Sequence, residues 1–317
     1  MPVLELWLSP PVVALFGLLV GSFLNVVIHR VPLIDLRDWW RFDIVDYALT
    51  DARAWTPVFG RASRPPAHLR AAADAIGAEL ARVPEVSLVR PRSRCPECGH
   101  VLRWYENIPV LSWVWLRGRC SSCKSPISWR YPLVELLTAG LFGACAATYG
   151  PTAATVLFCV VLALLIVKAF IDLDATLLPE GLTLSLIGLG ALGALAGWTG
   201  VTPADALAGA VIGYLLLWLP GAFWRYALGK PNAMGVGDMK MFAGLGTIFG
   251  WQALPSLLLA AAALGAVLGI ATLLISRKGR DTRIAFGPYL ALAGAACVFF
   301  REDFAGFGEA LAPTLGL

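Results

Sequence analysis

Two aspartates in this chain lie at the ends of apolar segments, where a charged side chain is costly unless it is paired, hydrated or used. Asp238 directly follows the two glycines of the stretch 234–240 (MGVGDMK), and Asp172 lies at the end of an apolar run, in the stretch 170–180 (FIDLDATLLPE). An unpaired charge at such a place costs roughly several kcal/mol, so we expect a function for both acids. If the two carboxyl groups meet, one can hold a proton while the other acts as a base on water. Aspartic proteases use this arrangement.

Two other interpretations of these acids are open on chemical grounds. The first is that they are unrelated residues at the membrane boundary that cap helices. The second is that they serve a transporter or an assembly scaffold through ions or contacts. A transporter should carry ionisable groups at mid-span. Only Lys168 comes near such a position, close to the end of a span, so the sequence disfavours a transporter.

The choice between Asp172 and its neighbour Asp174 follows from helix geometry. Residues two apart on a helix differ by about 200° of rotation, so at most one of these two carboxylates faces a given cleft. We assign the site to Asp172, and we expect Asp174 to be hydrated or to cap the helix. Pro179 follows and is expected to break the helix or to start a new one.

The turn before Asp238 contains Gly235 and Gly237. We expect these glycines to adopt backbone conformations that other residues avoid and to let a substrate strand approach closely. Asp238 would then open the next helix, where the helix dipole favours its ionised form. Lys240 should point elsewhere and extend towards the lipid headgroups.

Four of the seven cysteines form two C-x-x-C pairs that are separated by 21 residues: Cys95, Cys98, Cys120 and Cys123. Two such pairs at this distance predict a structural zinc site with four thiolate ligands and no open coordination position. Redox cysteines or disulfides are the alternative, and a cytoplasmic location disfavours disulfides. The remaining cysteines lie singly in apolar runs and are expected to be small buried side chains: Cys145, Cys159 and Cys297.

The composition places these residues in a membrane protein. The 317 residues are 58% hydrophobic and only 15% charged, whereas soluble domains carry roughly 25% charged residues. We therefore predict an all-α polytopic membrane protein with about eight transmembrane segments. The segment at 241–250 is short for a span of roughly 20 residues and is expected to be tilted or half-buried. The predicted segments are 11–28, 133–149, 152–171, 181–199, 205–224, 241–250, 253–275 and 284–300.

The distribution of basic residues predicts the orientation. The connections near 150, 200 and 251 contain no Lys or Arg, and the opposite connections contain Arg225, Lys230, Lys240, Arg277, Lys278, Arg280 and Arg283. That second side is therefore predicted to be cytoplasmic, and both aspartates fall on it. We expect residues 1–30 to hold the first transmembrane helix, 31–130 a cytoplasmic zinc-binding insertion, and 131–317 the multi-helix membrane domain.

An ordered set of short motifs resembles the prepilin peptidase (type IV leader peptidase) family of GxGD membrane aspartyl proteases, nearly from end to end. One departure is Glu180, where many relatives have aspartate after the proline, and the insertion at 33–90 matches the family only loosely. The motifs are 21–30 (GSFLNVVIHR), 91–99 (PRSRCPECG), 106–112 (ENIPVLS), 117–120 (RGRC), 131–135 (YPLVE), 172–179 (DLDATLLP), 235–240 (GVGDMK) and 286–289 (FGPY).

The resemblance implies an endopeptidase of the bacterial inner membrane. It would remove the basic leader of type IV prepilins or type II pseudopilins after a glycine at the cytoplasmic face, with Asp172 and Asp238 as catalytic residues. It would also N-methylate the new N-terminus with S-adenosylmethionine, and it implies no nucleic-acid partner. A peptidase without methylation is the alternative.

The methyl-donor site has no recognisable nucleotide-binding loop in this sequence. By elimination we expect it in the cytoplasmic domain near the cysteine pairs, with Glu106 and Asn107 as candidates. The alternative role for these two residues is stabilisation of the fold through local hydrogen bonds.

Overall fold

The structure, a computed structural model, describes residues 2–59, 64–227, 229, 235–276 and 285–306. Lys230 and the four basic residues of 277–283, on which part of the predicted orientation rests, lie outside these ranges, as does Met234 at the start of the glycine-rich stretch. In the described part of the chain there is no β-strand, and the backbone is organised as helices joined by short connections.

Twelve α-helices are described. They are α1 (Pro2–Trp7), α2 (Pro10–Asp38), α3 (Ala52–Phe59), α4 (Ala67–Arg82), α5 (Leu111–Trp115), α6 (Arg130–Tyr149), α7 (Ala153–Ala175), α8 (Glu180–Leu195), α9 (Pro203–Ala227), α10 (Val236–Phe249), α11 (Leu254–Ser276) and α12 (Gly287–Phe299). A π-helical stretch continues α2, and two short 3₁₀ turns precede α5 and α11: Trp39–Ala48, Trp104–Asn107 and Trp251–Ala253.

Five helical stretches in the described residues are long and apolar enough to cross a membrane. They are α2 with its π-helical continuation, α6, α7, α9 and the stretch Trp251–Gly269. The helices α8 and α12 are apolar but shorter, and α10 is a buried helix of 14 residues. These eight helices correspond to the eight predicted segments and confirm the all-α polytopic fold.

The first of these helices is longer than its predicted span. The span was expected to end at His29 and Arg30, but α2 continues to Asp38. The Arg30 guanidinium donates to the backbone carbonyl oxygens of Ser87 and Pro91, each at 2.7 Å. A charged residue limits how far a helix enters the membrane but does not interrupt its backbone hydrogen bonds, so the helix extends beyond the apolar run.

The chain forms two compact units, residues 1–25 with 103–317 and residues 26–102. In the smaller unit, α4 packs against the π-helical stretch. In the larger unit, α10 packs mainly against α8 and α9 and also contacts α12. Every residue of α10 from Met241 to Phe249 is buried. Residues 241–250 were expected to be tilted or half-buried, and the structure shows them fully buried within the protein.

Close approach of α9 and α10 depends on two facing glycines. A Cβ atom at Gly209 would overlap the backbone carbonyl group of Gly246, and a Cβ at Gly246 would overlap that of Gly209. Gly213, one turn further along α9, faces the backbone of α10 at Phe242 in the same way. Small residues allow helix backbones to approach within a membrane protein, and here they allow α10 to lie at the centre of the larger unit.

We expect Gly209→Ala to lower the free energy of unfolding by about 1–3 kcal/mol, because the added methyl group must displace backbone atoms. Gly188→Ala on α8 is the matched control, since a Cβ there meets no atom within 4 Å. Thermal unfolding of both variants in detergent measures the difference. Equal midpoints would show that the contact between α9 and α10 tolerates a side chain.

Candidate functional site

Asp172 lies in the last turns of α7 and is buried, with 5% of its surface exposed. Its Oδ2 atom accepts a hydrogen bond from the backbone N–H of Gly287, at 3.0 Å, at the first residue of α12. The N-terminus of a helix carries a partial positive charge, so this contact favours the ionised carboxylate. A Cβ at Gly287 would lie 2.6 Å from the same oxygen. Glycine is therefore required for the contact.

Asp238 lies in the first turn of α10 and is half-buried. Among the described residues, its buried Oδ1 atom has no hydrogen-bond partner. Its carboxyl group is close enough to Asp172 for the charges of the two side chains to act on each other. The structure therefore brings together two acids that are 66 positions apart in the sequence.

The glycines before Asp238 act differently from the expectation. Gly235 has φ −70° and ψ 136°, which other residues adopt readily, and Gly237 is helical. The requirement at Gly237 is space, because a Cβ there would lie 2.6 Å from the Cβ of Leu178. Leu178 directly precedes Pro179, the buried residue before the start of α8. This contact joins the two aspartate-bearing segments.

Lys168 is a member of the site that the sequence motifs do not predict. It is in α7, four residues before Asp172, and its side chain is fully buried. The Nζ atom donates to Thr183 Oγ1 at 2.9 Å, and the ammonium interacts electrostatically with both Asp172 and Asp238. Residues four apart share one face of a helix, so the spacing was a signal that could have identified this residue.

Asp174 points away from Asp172, as the helical rotation predicts. Its carboxylate accepts two hydrogen bonds from Arg130, at 2.6 and 2.8 Å, and the same guanidinium lies over the ring of Phe170. Half of the Asp174 side chain is exposed, so Asp174 forms a surface ion pair.

Lys240 was expected to extend towards the lipid headgroups. Its Nζ atom instead forms an ion pair with the Oε1 atom of Glu180, at the start of α8. Glu180 is a direct partner for the ammonium group, and the sequence did not indicate this because the two residues are 60 positions apart. Glu180 therefore has a specific partner at a position where many relatives carry aspartate.

A second polar cluster joins three of the sequence motifs. Glu135 in α6 is buried, and its Oε2 atom accepts the backbone N–H of Val110 at 2.7 Å. Ser22 in α2 also hydrogen-bonds the Glu135 side chain. One turn along α2, the amide of Asn25 donates to the backbone oxygen of Tyr131 at 3.2 Å. These contacts hold α2, α6 and the segment before α5 together.

The two candidates for methyl-donor binding lie in the 3₁₀ turn before α5. Glu106 is buried, and its Oε2 atom accepts the backbone N–H of Arg103 at 2.7 Å. Asn107 is exposed. The bond from Arg103 caps the turn, so this contact of Glu106 matches the alternative role, stabilisation of the local fold.

The two C-x-x-C pairs have the same local geometry. In each, the first cysteine donates its N–H to a carbonyl oxygen five residues later, at 2.9 Å, and its own carbonyl oxygen accepts from the residue four positions later. That residue has positive φ in both turns, 70° at Gly99 and 61° at Lys124. An isolated antiparallel bridge closes each turn, Arg94 with Val101 and Arg119 with Pro126.

The ligand atoms of the four cysteines lie within 4.8 Å of one another: Cys95, Cys98, Cys120 and Cys123. Sulfur atoms at about 2.3 Å from a tetrahedral zinc ion are separated by roughly 3.8 Å. The cluster can therefore hold a zinc ion.

The fold and the site define a multi-pass helical membrane protein with two neighbouring acids, one buried and one half-buried, a buried lysine and a four-cysteine cluster. Sequence comparison agrees in both halves of the chain. The profile described as bacterial peptidase A24 N-terminal domain matches residues 15–149, and that of the type IV leader peptidase family matches residues 159–270. The chain belongs to the type IV leader peptidase family.

Several curated relatives are similar over almost the whole chain, and each is named prepilin leader peptidase/N-methyltransferase. The protein of Aeromonas hydrophila is 43% identical over 94% of this chain and 92% of its own length. The protein of Pseudomonas aeruginosa is 39% identical over 97% of this chain and 100% of its own length. The protein of Burkholderia pseudomallei is 38% identical over 91% of this chain and 84% of its own length. No solved structure matches the chain.

Proposed function

We propose that this chain is a prepilin leader peptidase that uses Asp172 and Asp238 as a catalytic pair and also N-methylates its product. The observation that carries the proposal is the meeting of two acids from separate segments, inside a helical membrane protein. The names of the relatives support the same activity and the same class of substrate. Two unrelated boundary acids would not need to lie within electrostatic range of each other.

The surroundings of the two acids suggest different roles. Asp172 accepts the Gly287 N–H at the start of α12, which favours its ionised form, so we assign it as the base. Asp238 has a buried oxygen without a partner among the described residues, and a neutral carboxyl group tolerates that position better than an anion does. We therefore propose that Asp238 holds the one proton that the two carboxyl groups share, and that it donates a hydrogen bond to the scissile carbonyl oxygen.

In the proposed reaction, Asp172 takes a proton from a water molecule as the water oxygen attacks the scissile carbonyl carbon. Asp238 gives its proton to the carbonyl oxygen. The resulting tetrahedral intermediate collapses, Asp172 gives its proton to the leaving amine, and the hydroxyl proton returns to Asp238. Both side chains then have their starting protonation states, as expected for a jointly titrating pair.

The position of the acids fits a membrane-helix substrate with a basic leader. Asp172 is in the last turns of α7 and Asp238 in the first turn of α10, so both lie at helix ends. We place this face in the cytoplasm, where the basic residues predict it, and the protein in the bacterial inner membrane. Cleavage after a glycine at this boundary requires local unwinding of the substrate.

We further propose that the four-cysteine cluster holds a structural zinc ion. Four thiolates complete a tetrahedral site, so the metal would link the two turns and take no part in hydrolysis. For methylation we propose S-adenosylmethionine as donor, with Asn107 and Glu106 as the candidate contacts near this cluster.

We expect Asp172→Asn and Asp238→Asn each to reduce cleavage of a prepilin by about 10²–10⁴-fold or more, because each removes one of the two proton-transferring groups. Asp174→Asn is the matched control, since Asp174 pairs with Arg130 away from the site. Cleavage is measured by mass spectrometry on purified protein whose thermal unfolding shows that it is folded. Normal cleavage by either Asp172→Asn or Asp238→Asn would exclude the pair.

The methylation proposal predicts a product of defined mass. Incubation of a prepilin with the purified protein and S-adenosylmethionine should remove the leader and add the mass of one methyl group to the new N-terminus. Without the donor, only the leader should be lost. Loss of the leader alone in both incubations would make the chain a peptidase without methylation.

Zinc content tests the cysteine cluster. The wild-type protein should purify with a stoichiometric zinc ion, and Cys98→Ser should lose it, because three thiolates leave the tetrahedral site incomplete. Cys145→Ala is the control, since Cys145 is buried in α6 outside the cluster. Elemental analysis after chelator washing provides the measurement. Equal zinc in Cys98→Ser and wild type would contradict the assigned ligands.

A further inference from the structure

One buried charge has no part in the proposed hydrolysis. Lys168 has no exposed surface, and its Nζ atom donates to Thr183 Oγ1, which donates in turn to the carbonyl oxygen of Pro179. Removing an ammonium group from water costs several kcal/mol, and one neutral hydroxyl does not offset that cost. A protonated Lys168 therefore requires negative charge close to it.

The proposed catalytic pair supplies that charge. Asp172 lies one turn away on the same helix, and Asp238 approaches from α10; both carboxylates act on the Lys168 ammonium. The other charged groups on the helices around α7 have partners of their own in the described structure. These are Glu135 with Val110, Arg130 with Asp174, and Glu180 with Lys240, while α12 contributes the largely buried Tyr289.

We propose that Lys168 is the counter-ion of the aspartate pair, an inference that rests on the proposed peptidase function. With Lys168 protonated, one carboxyl group ionised and the other protonated, the buried group has no net charge. Lys168 is a positioning residue, since it sets the charge of the pair and does not touch the scissile bond.

The counter-ion determines over which pH range the base is available. A single negative charge on the pair without Lys168 would be stabilised only by the N-termini of α10 and α12 and by solvent. The pair would then take up a second proton at higher pH, and with both carboxyl groups protonated no base would remain to activate water. Lys168 thus keeps one carboxylate ionised near neutral pH.

The first test is the pH profile of prepilin cleavage by Lys168→Met, a change that removes the charge and keeps an unbranched side chain. We expect the acidic limb to move upward by about 1–3 pH units, the effect of an opposite charge at close range. Lys240→Met is the matched control. It removes the same charge from an ion pair with an exposed partner, and we expect its acidic limb to stay at the wild-type pH.

The second test measures stability and does not depend on activity. Asp172→Asn/Asp238→Asn leaves the Lys168 ammonium buried without negative charge, so its thermal midpoint should fall. Adding Lys168→Met to that double variant should recover most of the loss, because the uncompensated charge is then gone. The comparison of the double and triple variants also tests the counter-ion role if the single Lys168→Met variant does not fold.

The outcomes separate this inference from the proposed function. An unmoved acidic limb in Lys168→Met, with both aspartate variants inactive, would reject the counter-ion and leave the peptidase site intact. A triple variant no more stable than the double variant would also reject it. Normal cleavage by the aspartate variants would reject the peptidase site, and thermal recovery in the triple variant would still identify Lys168 as the partner of the two acids.

Discussion

Compensation of buried charge is the constraint on which the centre of this protein depends. Lys168 and Asp172 lie on one face of α7, and Asp238 approaches from α10, where neither lipid nor side-chain packing can stabilise an isolated ion. The Gly287 N–H adds the partial positive charge of the α12 N-terminus. Each ionised group in this cluster is favourable only because the others are present, so the cluster connects three helices energetically as well as sterically.

The position of α10 follows from the same requirement. An acid at the start of a lipid-facing helix would meet water and headgroups, whereas Asp238 must meet Asp172. Burial of α10 against α8, α9 and α12 achieves this, and facing glycines at Gly209 and Gly246 bring the backbones close enough. At the end that carries the acid, Gly237 packs on Leu178 and thereby holds the start of α10 against the segment that follows Asp172. Small residues thus transmit a packing constraint to the proposed chemistry.

A second buried acid has a different role. Glu135 accepts the backbone N–H of Val110 and hydrogen-bonds Ser22, so it connects α2 and α6 to the segment that precedes α5. That segment begins just after Glu106, whose carboxylate caps its own turn. The family motifs therefore fall into two groups. One group surrounds the aspartate pair, and the other organises the region in which we place methyl-donor binding.

Local patterns in the sequence were sufficient for the eight apolar segments and the two cysteine pairs, because hydrophobic runs and C-x-x-C spacing depend only on neighbouring residues. Rotation along a helix also separated Asp172 from Asp174, and the same rule places Lys168 beside Asp172. The partners of these residues could not be read in this way. Three of the contacts join segments that are distant in the sequence: Gly287 with Asp172, Glu180 with Lys240, and Leu178 with Gly237. The burial of α10 likewise depends on three other helices. The sequence by itself determined which residues carry charge and which segments are apolar; the tertiary structure decided which charges meet, because that depends on how the helices pack.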